Sequence, residues 1–124
     1  MEELIIIGNG NMAQALCAGL GEKYRLHVFG RNSIKLEEFK NKLDFVEIST
    51  FSEPLDISGK KVMLCVKPNS LDDVATKLIG EADILISILA GSDISKISSK
   101  IKAKSIVRAM PNVGAKFLKS MTTL

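Results

Sequence analysis

The sequence predicts a doubly wound α/β domain, a mostly parallel sheet with helices on both faces. Three observations predict it. Short runs of apolar residues at 4–7, 61–66 and 84–89 suit strands buried on both faces. Between such runs, apolar residues recur at helical spacing, as at Met12, Ala13, Leu16 and Leu20. The connections are short, and strands that alternate with helices across short connections form a parallel sheet.

Taken in order, residues 4–7 form the first strand, and Gly8-Asn9-Gly10 breaks it. The helix that follows carries Met12 to Leu20, with Gly19 and Gly21 near its end. Residues 24–29 read as strand two. Ser33–Lys42 reads as a helix, with Ile34, Leu36 and Phe39 on the apolar side and Glu37 and Glu38 outward. Residues 45–48 form a short strand. Ser58-Gly59 turns into the strand at 61–66, which Pro68 stops. A helix from Ser70 to about Leu78 follows, the side chains of Ser70 and Asp73 placed to satisfy end N–H groups. Residues 84–89 are another buried strand. Ile94, Ile97 and Ile101 then mark one face of a Ser/Lys-rich helix over 95–104, and 105–109 is the last clear strand. Residues 113–124 show no clear period.

The chain has 124 residues, 46% hydrophobic and 25% charged, which suits one globular domain with a real core. No apolar run reaches the ~18 residues that span a bilayer. The opening Met1-Glu2-Glu3 is acidic, unlike a signal or transit peptide, so a soluble, cytoplasmic protein is expected. Cys17 and Cys65 make neither a disulfide framework nor a zinc site; buried free thiols and no metal are expected. Net charge is +3, with +6 gathered from Gly91 onward. The lysines there (Lys96, Lys100, Lys102, Lys104) surround isoleucines and have no aromatics interleaved for base stacking. They read as a solvated face that attracts a polyanion, and no nucleic-acid or membrane partner is expected. A lone His27 within a strand reads as structural.

Gly8-Asn9-Gly10-Asn11-Met12-Ala13 matches G-x-G-x-x-G/A, placed after a strand and opening a helix. That placement is the phosphate turn of a Rossmann-type, dinucleotide-binding domain. Gly8 permits the tight turn, Gly10 lets a pyrophosphate approach the backbone, and Ala13 lets helix and strand pack closely. The helix N-terminus offers N–H groups to the phosphates. A site for NAD carries Asp or Glu about 20 residues on, for the ribose 2′-hydroxyl. Here strand two ends in Arg31-Asn32-Ser33, with no carboxylate. Arg31 attracts a 2′-phosphate, and Asn32 and Ser33 donate hydrogen bonds, so NADP(H) is the preferred cofactor and NAD(H) a possible one.

Four segments together resemble pyrroline-5-carboxylate reductase: residues 7–13, Val66-Lys67-Pro68, Ser87-Ile88-Leu89-Ala90-Gly91 and Arg108-Ala109-Met110-Pro111-Asn112. Ser120-Met121-Thr122-Thr123-Leu124 is similar to that family's Gly-Met-Thr stretch. The resemblance implies reduction of 1-pyrroline-5-carboxylate to L-proline with NAD(P)H as hydride donor. It implies that residues 8–13 hold the pyrophosphate and that Arg31, Asn32 and Ser33 meet the adenosine ribose or its phosphate. By the same resemblance Cys65, Val66, Lys67 and Pro68, with Ile88, Leu89 and Ala90, flank the nicotinamide. Met110, Pro111 and Asn112 lie near nicotinamide and substrate. No catalytic residue is assigned; Lys67 is given a positional or backbone role. Where the family has an Asn on the adenine side, this sequence has Ser52-Glu53-Pro54, and a hydroxyl offers fewer hydrogen bonds.

The family also carries a second, all-helical domain that forms its dimer and supplies most of the substrate site. The expected organisation is a dinucleotide-binding domain over 1–112 and a tail over 113–124 leading toward that absent domain. The 124-residue chain alone is then expected to bind cofactor and turn over little or nothing. The full-length protein is expected to be a homo-oligomer. Phe117, Leu118, Met121 and Leu124 are apolar and offer this chain a route to self-association. The alternatives are another NADP-dependent reductase, such as a 3-hydroxyacid dehydrogenase or a deazaflavin-dependent NADP reductase, and a non-catalytic dinucleotide-binding module. Met110-Pro111-Asn112 favours the first reading.

Overall fold

Four consecutive residues, Leu4, Ile5, Ile6 and Ile7, are all buried in the first strand, and alternate side chains of a strand point to opposite faces. The sheet must therefore be covered on both sides. The computed structural model describes residues 2–8, 10–51, 54–66, 70–88 and 94–108, and of residues 11, 12, 94 and 95 the backbone alone. Its elements are β1 (Glu2–Ile7), α1 (Asn11–Leu20), β2 (Tyr24–Gly30), α2 (Ser33–Lys42), β3 (Glu47–Thr50), β4 (Leu55–Asp56), β5 (Lys61–Leu64), α3 (Leu71–Thr76), β6 (Leu78–Ile79), β7 (Ala82–Ser87), α4 (Ile94–Ser98) and β8 (Ala103–Arg108).

Six strands form one parallel sheet in the order β3-β2-β1-β5-β7-β8. From β1 the chain winds outward through β2 to β3, then returns to β5 on the other side of β1. Neighbouring β1 and β5 thus send their connections in opposite directions, which opens a crevice at their carboxyl ends. The expected doubly wound α/β class is the observed one.

Each face has its own core. On one, Leu4, Ile6, Leu26, Val28, Met63 and Ile86 pack against Ala13, Leu16, Cys17 and Leu20 of α1 and against Leu36 and Phe39 of α2. On the other, Ile5, Ile7, Val62, Leu64 and Leu85 meet Leu71 and Val74 of α3 and Ile97 of α4. Each of the Val, Leu, Ile, Phe and Met side chains among these contributes about 1.5–3 kcal/mol by leaving water. That explains why short helices such as α3 and α4 hold their shape: tertiary burial, not intrinsic propensity, fixes them.

Several boundaries differ from the sequence-based expectation. The strand expected at 45–48 is Glu47–Thr50, because Val46 is buried ahead of it while Phe45 stays exposed. Ile34 is 68% exposed; Leu36 and Phe39, three apart, face the core without it. The helix expected over 95–104 is only Ile94–Ser98, and Lys104 lies in β8. Ile97 and Ile101 are both buried as expected, but Ile101 is held by a turn in which its N–H donates to the Ile97 carbonyl at 2.9 Å. Strands β5 and β7 end two residues early, at Leu64 and Ser87. Helix α3 stops at Thr76 because Leu78–Ile79 pairs with Leu55–Asp56 as a separate two-stranded sheet. Ser70 makes no side-chain cap; its own backbone is already helical (φ −94°, ψ −6°), whereas a capping serine sits in an extended conformation.

His27 is structural, as expected. Its Nε2 lies 2.7 Å from Ser49 Oγ, and its ring stacks on Phe29 at 4.3 Å between centroids. Glu3 lies beside it and is hydrogen-bonded by Lys60 Nζ at 2.8 Å, which holds the Glu3 carboxyl below its ordinary pKa. Cys17 is a buried free thiol; Cys65 is free but only half-buried. No helix among the described residues is long and apolar enough to cross a membrane.

Candidate functional site

The turn after β1 is tied down before any ligand is considered. The Gly8 N–H donates to the Phe29 carbonyl at 2.8 Å, and the Cys65 N–H donates to the Ile7 carbonyl at 2.8 Å. These bonds draw the carboxyl ends of β1, β2 and β5 together. Gly8 has φ +119°, and a Cβ there would stand 2.4 Å from the Cys65 carbonyl oxygen. Only glycine fits between these strand ends.

Gly10 is different. It is the N-cap of α1 with φ −80° and ψ −175°, a conformation open to any residue. A Cβ built on it meets nothing within 4 Å. Its carbonyl accepts the first helical bond, from Gln14 N–H at 3.1 Å. Among the described residues no side chain caps α1, and its first turn holds no acidic residue. The first N–H groups of a helix have no intrahelical partners. An anion held over Gly10 satisfies them and meets the positive end of the helix dipole.

From this turn a cleft of about 340 Å³ opens over the strand ends, within the size range of small-molecule sites. Its floor is Ile7, Gly8 and Gly10; one wall is Phe29, Gly30, Arg31, Asn32 and Lys35, with Phe51 beside it donating its N–H to the Gly30 carbonyl at 2.7 Å; Cys65, Val66, Ser70 and Val74 complete the lining. Arg31 leaves the end of β2 with its side chain half exposed, and its Nη2 lies 3.4 Å from Asp73 Oδ2 on α3. Lys35 adds a second cation to the same wall. Phe51 sets its ring edge-on to Phe29, 6.2 Å between centroids, and with Val66 and Val74 makes an apolar lining. Burial pushes the Cys65 thiol pKa up, which disfavours its thiolate at the cleft.

The structure brings Gly8, Gly10, Arg31, Asn32, Cys65 and Val66 together around one cleft. Ala13 is fully buried under the turn, in the core between α1 and the sheet. Asn32 has a structural duty: its Oδ1 accepts the N–H groups of Ile34 and Lys35 at 2.9 and 3.1 Å and caps α2. Its amide N–H₂ remains the only donor it can offer a ligand. Asn32→Ala is therefore expected to cost about 1 kcal/mol of stability, read by urea denaturation. Ser33 is exposed at the start of α2 and is not part of the cleft wall. Ile88 is half-buried against the core on the α1 side. Asn9, Lys67, Pro68, Leu89, Ala90, Met110, Pro111 and Asn112 lie outside the described residues, as do Ser52, Glu53 and the tail, and nothing is described of the side chains of Asn11 and Met12.

Sequence reasoning missed Lys35, Phe51, Ser70 and Val74. Lys35 carried a usable signal, since it follows Arg31 by four residues at the start of a helix. The other three come from segments 20 or more residues away, which only the sheet topology brings to the cleft.

Residues 3–91 match the family described as NADP oxidoreductase, coenzyme F420-dependent. Pyrroline-5-carboxylate reductase from Helicobacter pylori strain J99 is 34% identical over 129 aligned residues, which cover 100% of this chain and 49% of the relative. The chain thus spans about half the length of the curated relatives it matches. Among solved structures, 1-pyrroline-5-carboxylate reductase from Streptococcus pyogenes superposes with a TM-score of 0.69 at 20% identity, covering 91% of this chain and 44% of that one. A reductive aminase from Aspergillus terreus, solved with NADPH and ethyl levulinate, gives 0.57 at 15% identity, covering 85% and 39%. At these identities the two structures speak for the fold.

Proposed function

The chain belongs to the family described as NADP oxidoreductase, coenzyme F420-dependent, and on that premise we propose that it is the cofactor-binding part of a pyrroline-5-carboxylate reductase. The reaction is reduction of the cyclic imine 1-pyrroline-5-carboxylate to L-proline. The observation that carries the dinucleotide reading is the cleft itself. An open glycine N-cap, two cations and an apolar slot converge where β1 and β5 part. The 34% identity to a reductase of that name supports the substrate.

The residues present fit a dinucleotide. Gly10 and the free first turn of α1 hold the pyrophosphate. Phe51 and Val74 line the adenosine side. Arg31 and Lys35 meet the 2′-phosphate, with a hydrogen bond from the Asn32 amide. When bound, the dinucleotide supplies the hydride, and the protein supplies position and electrostatics. The neutral Cys65 thiol and Val66 keep the wall beyond the pyrophosphate free of charge. On their motifs alone, Lys67, Pro68, Leu89 and Ala90 are assigned to the nicotinamide and Met110, Pro111 and Asn112 to the substrate. In this reading residues 1–112 are the dinucleotide-binding domain and 113–124 lead into a helical domain through which the full-length protein forms an oligomer. Two unpaired thiols suit a reducing, cytoplasmic setting.

The test is titration of the chain with NADPH and with NADH, followed by nicotinamide fluorescence. NADPH is expected to bind more tightly. Arg31→Ala is expected to weaken NADPH about 10- to 100-fold, the range of a lost charge-assisted pair, and to leave NADH within about threefold. Failure of both cofactors to bind at millimolar concentration would count against the proposal.

A further inference from the structure

A carboxylate missing from the end of β2 is returned to the same place by another element. Sites that select NAD place Asp or Glu at the end of the second strand, where it takes the ribose 2′-hydroxyl and repels a 2′-phosphate. Here that strand ends in Gly30-Arg31-Asn32. Helix α3, 40 residues further along, lays Asp73 against Arg31 with Oδ2 and Nη2 3.4 Å apart. Asp73 stands between Ser70 and Val74, both of which line the cleft. We propose that Asp73 is a specificity-determining residue for the cofactor: its carboxylate competes with a 2′-phosphate for Arg31 and so lowers the site's preference for NADPH over NADH. The inference rests on the dinucleotide reading above.

The chemistry follows from charge. A guanidinium presents five N–H donors, so Arg31 can hold a carboxylate on one edge and a phosphate on the other. The carboxylate then partly neutralises the cation that the phosphate needs and repels the phosphate directly. Lys35, on the same wall, has no acidic partner among the ion pairs of the described residues and favours the phosphate unopposed. The side chains of Arg31 and Asp73 are 52% and 73% exposed, so their pair is held loosely and a ligand can break it. The 2′-hydroxyl of NADH carries no charge and is nearly indifferent to the balance.

The experiment compares wild type, Asp73→Asn and Asp73→Ala in titrations with NADPH, NADH, adenosine 2′,5′-bisphosphate and AMP. The last two isolate the adenosine end. Both variants are expected to bind NADPH and the bisphosphate about three- to tenfold more tightly, with NADH and AMP changed less than twofold. The gain should shrink toward unity at 0.5–1 M salt, where the screening length falls to about 3–4 Å. If wild type binds none of the four, the dinucleotide reading itself fails. If wild type binds them and the variants keep its NADPH-to-NADH ratio, Asp73 is a bystander and this inference alone fails. Weaker NADPH binding in the variants would also overturn it, since Asp73 would then orient Arg31 for the phosphate.

Discussion

Replacing Gly8 by alanine is expected to destabilise the chain by about 3–5 kcal/mol and to lower its thermal midpoint by 10 °C or more. Two costs act together. At φ +119° an L side chain is strained, at about 1–3 kcal/mol. The new Cβ also drives into the Cys65 carbonyl, 2.4 Å away, and that carbonyl belongs to backbone that cannot rotate aside. Relief requires β1 and β5 to separate at their carboxyl ends, which breaks the bond from Cys65 N–H to the Ile7 carbonyl. The crevice would open at its base, so cofactor binding should fall with stability. Circular dichroism melting of the variant measures the effect. A shift within 2 °C of wild type would show that the strand ends are not held as described.

Replacing Gly10 by valine should do the reverse: the fold survives and binding is lost. Gly10 is exposed, its backbone angles suit any residue, and a Cβ there meets no atom of the described residues within 4 Å. Loss of a glycine N-cap costs at most about 1 kcal/mol. The side chain would instead fill the space through which a phosphate reaches the first N–H groups of α1. Each charge-assisted bond to such a phosphate contributes about 1.5–3 kcal/mol. Losing one or two predicts NADPH affinity lower by at least about 10-fold, with the melting midpoint within a few degrees of wild type. Calorimetric titration beside a melting curve reads both. If Gly10→Val bound NADPH normally, the phosphate would not lie over this turn. The two glycines of one motif thus separate into a residue for the fold and a residue for the ligand.

That separation was only partly legible in the sequence. The order of strands and helices was readable because β1, β2, β5 and β7 are apolar runs buried on both faces, a pattern that survives small boundary errors. The phosphate turn was readable because a glycine motif between strand and helix has a mechanical meaning. Other features depended on contacts distant along the chain. Ser70 and Asp73 have the composition of a helix cap, and a local rule assigns them one. Instead Ser70 is already helical and Asp73 pairs with Arg31, 42 residues earlier. The helix expected over 95–104 stopped short because Ala103–Arg108 gains more by pairing with β7 than by continuing the turn of α4. β4 and β6 have two residues each, too few for any periodicity to show. Asn32 shows a further kind of shortfall, since its side chain was counted as a ligand donor while its oxygen is committed to capping α2.

The central claim is that one cleft, at the carboxyl ends of β1, β2 and β5, takes a dinucleotide. Chemical-shift mapping of the isotopically labelled chain during NADPH titration tests it most directly. The largest shifts are expected at the amides of Gly8, Gly10, Arg31, Lys35, Cys65 and Val66, saturating together with one dissociation constant. Shifts concentrated on the basic face of α4 and β8, or none at millimolar NADPH, would contradict it.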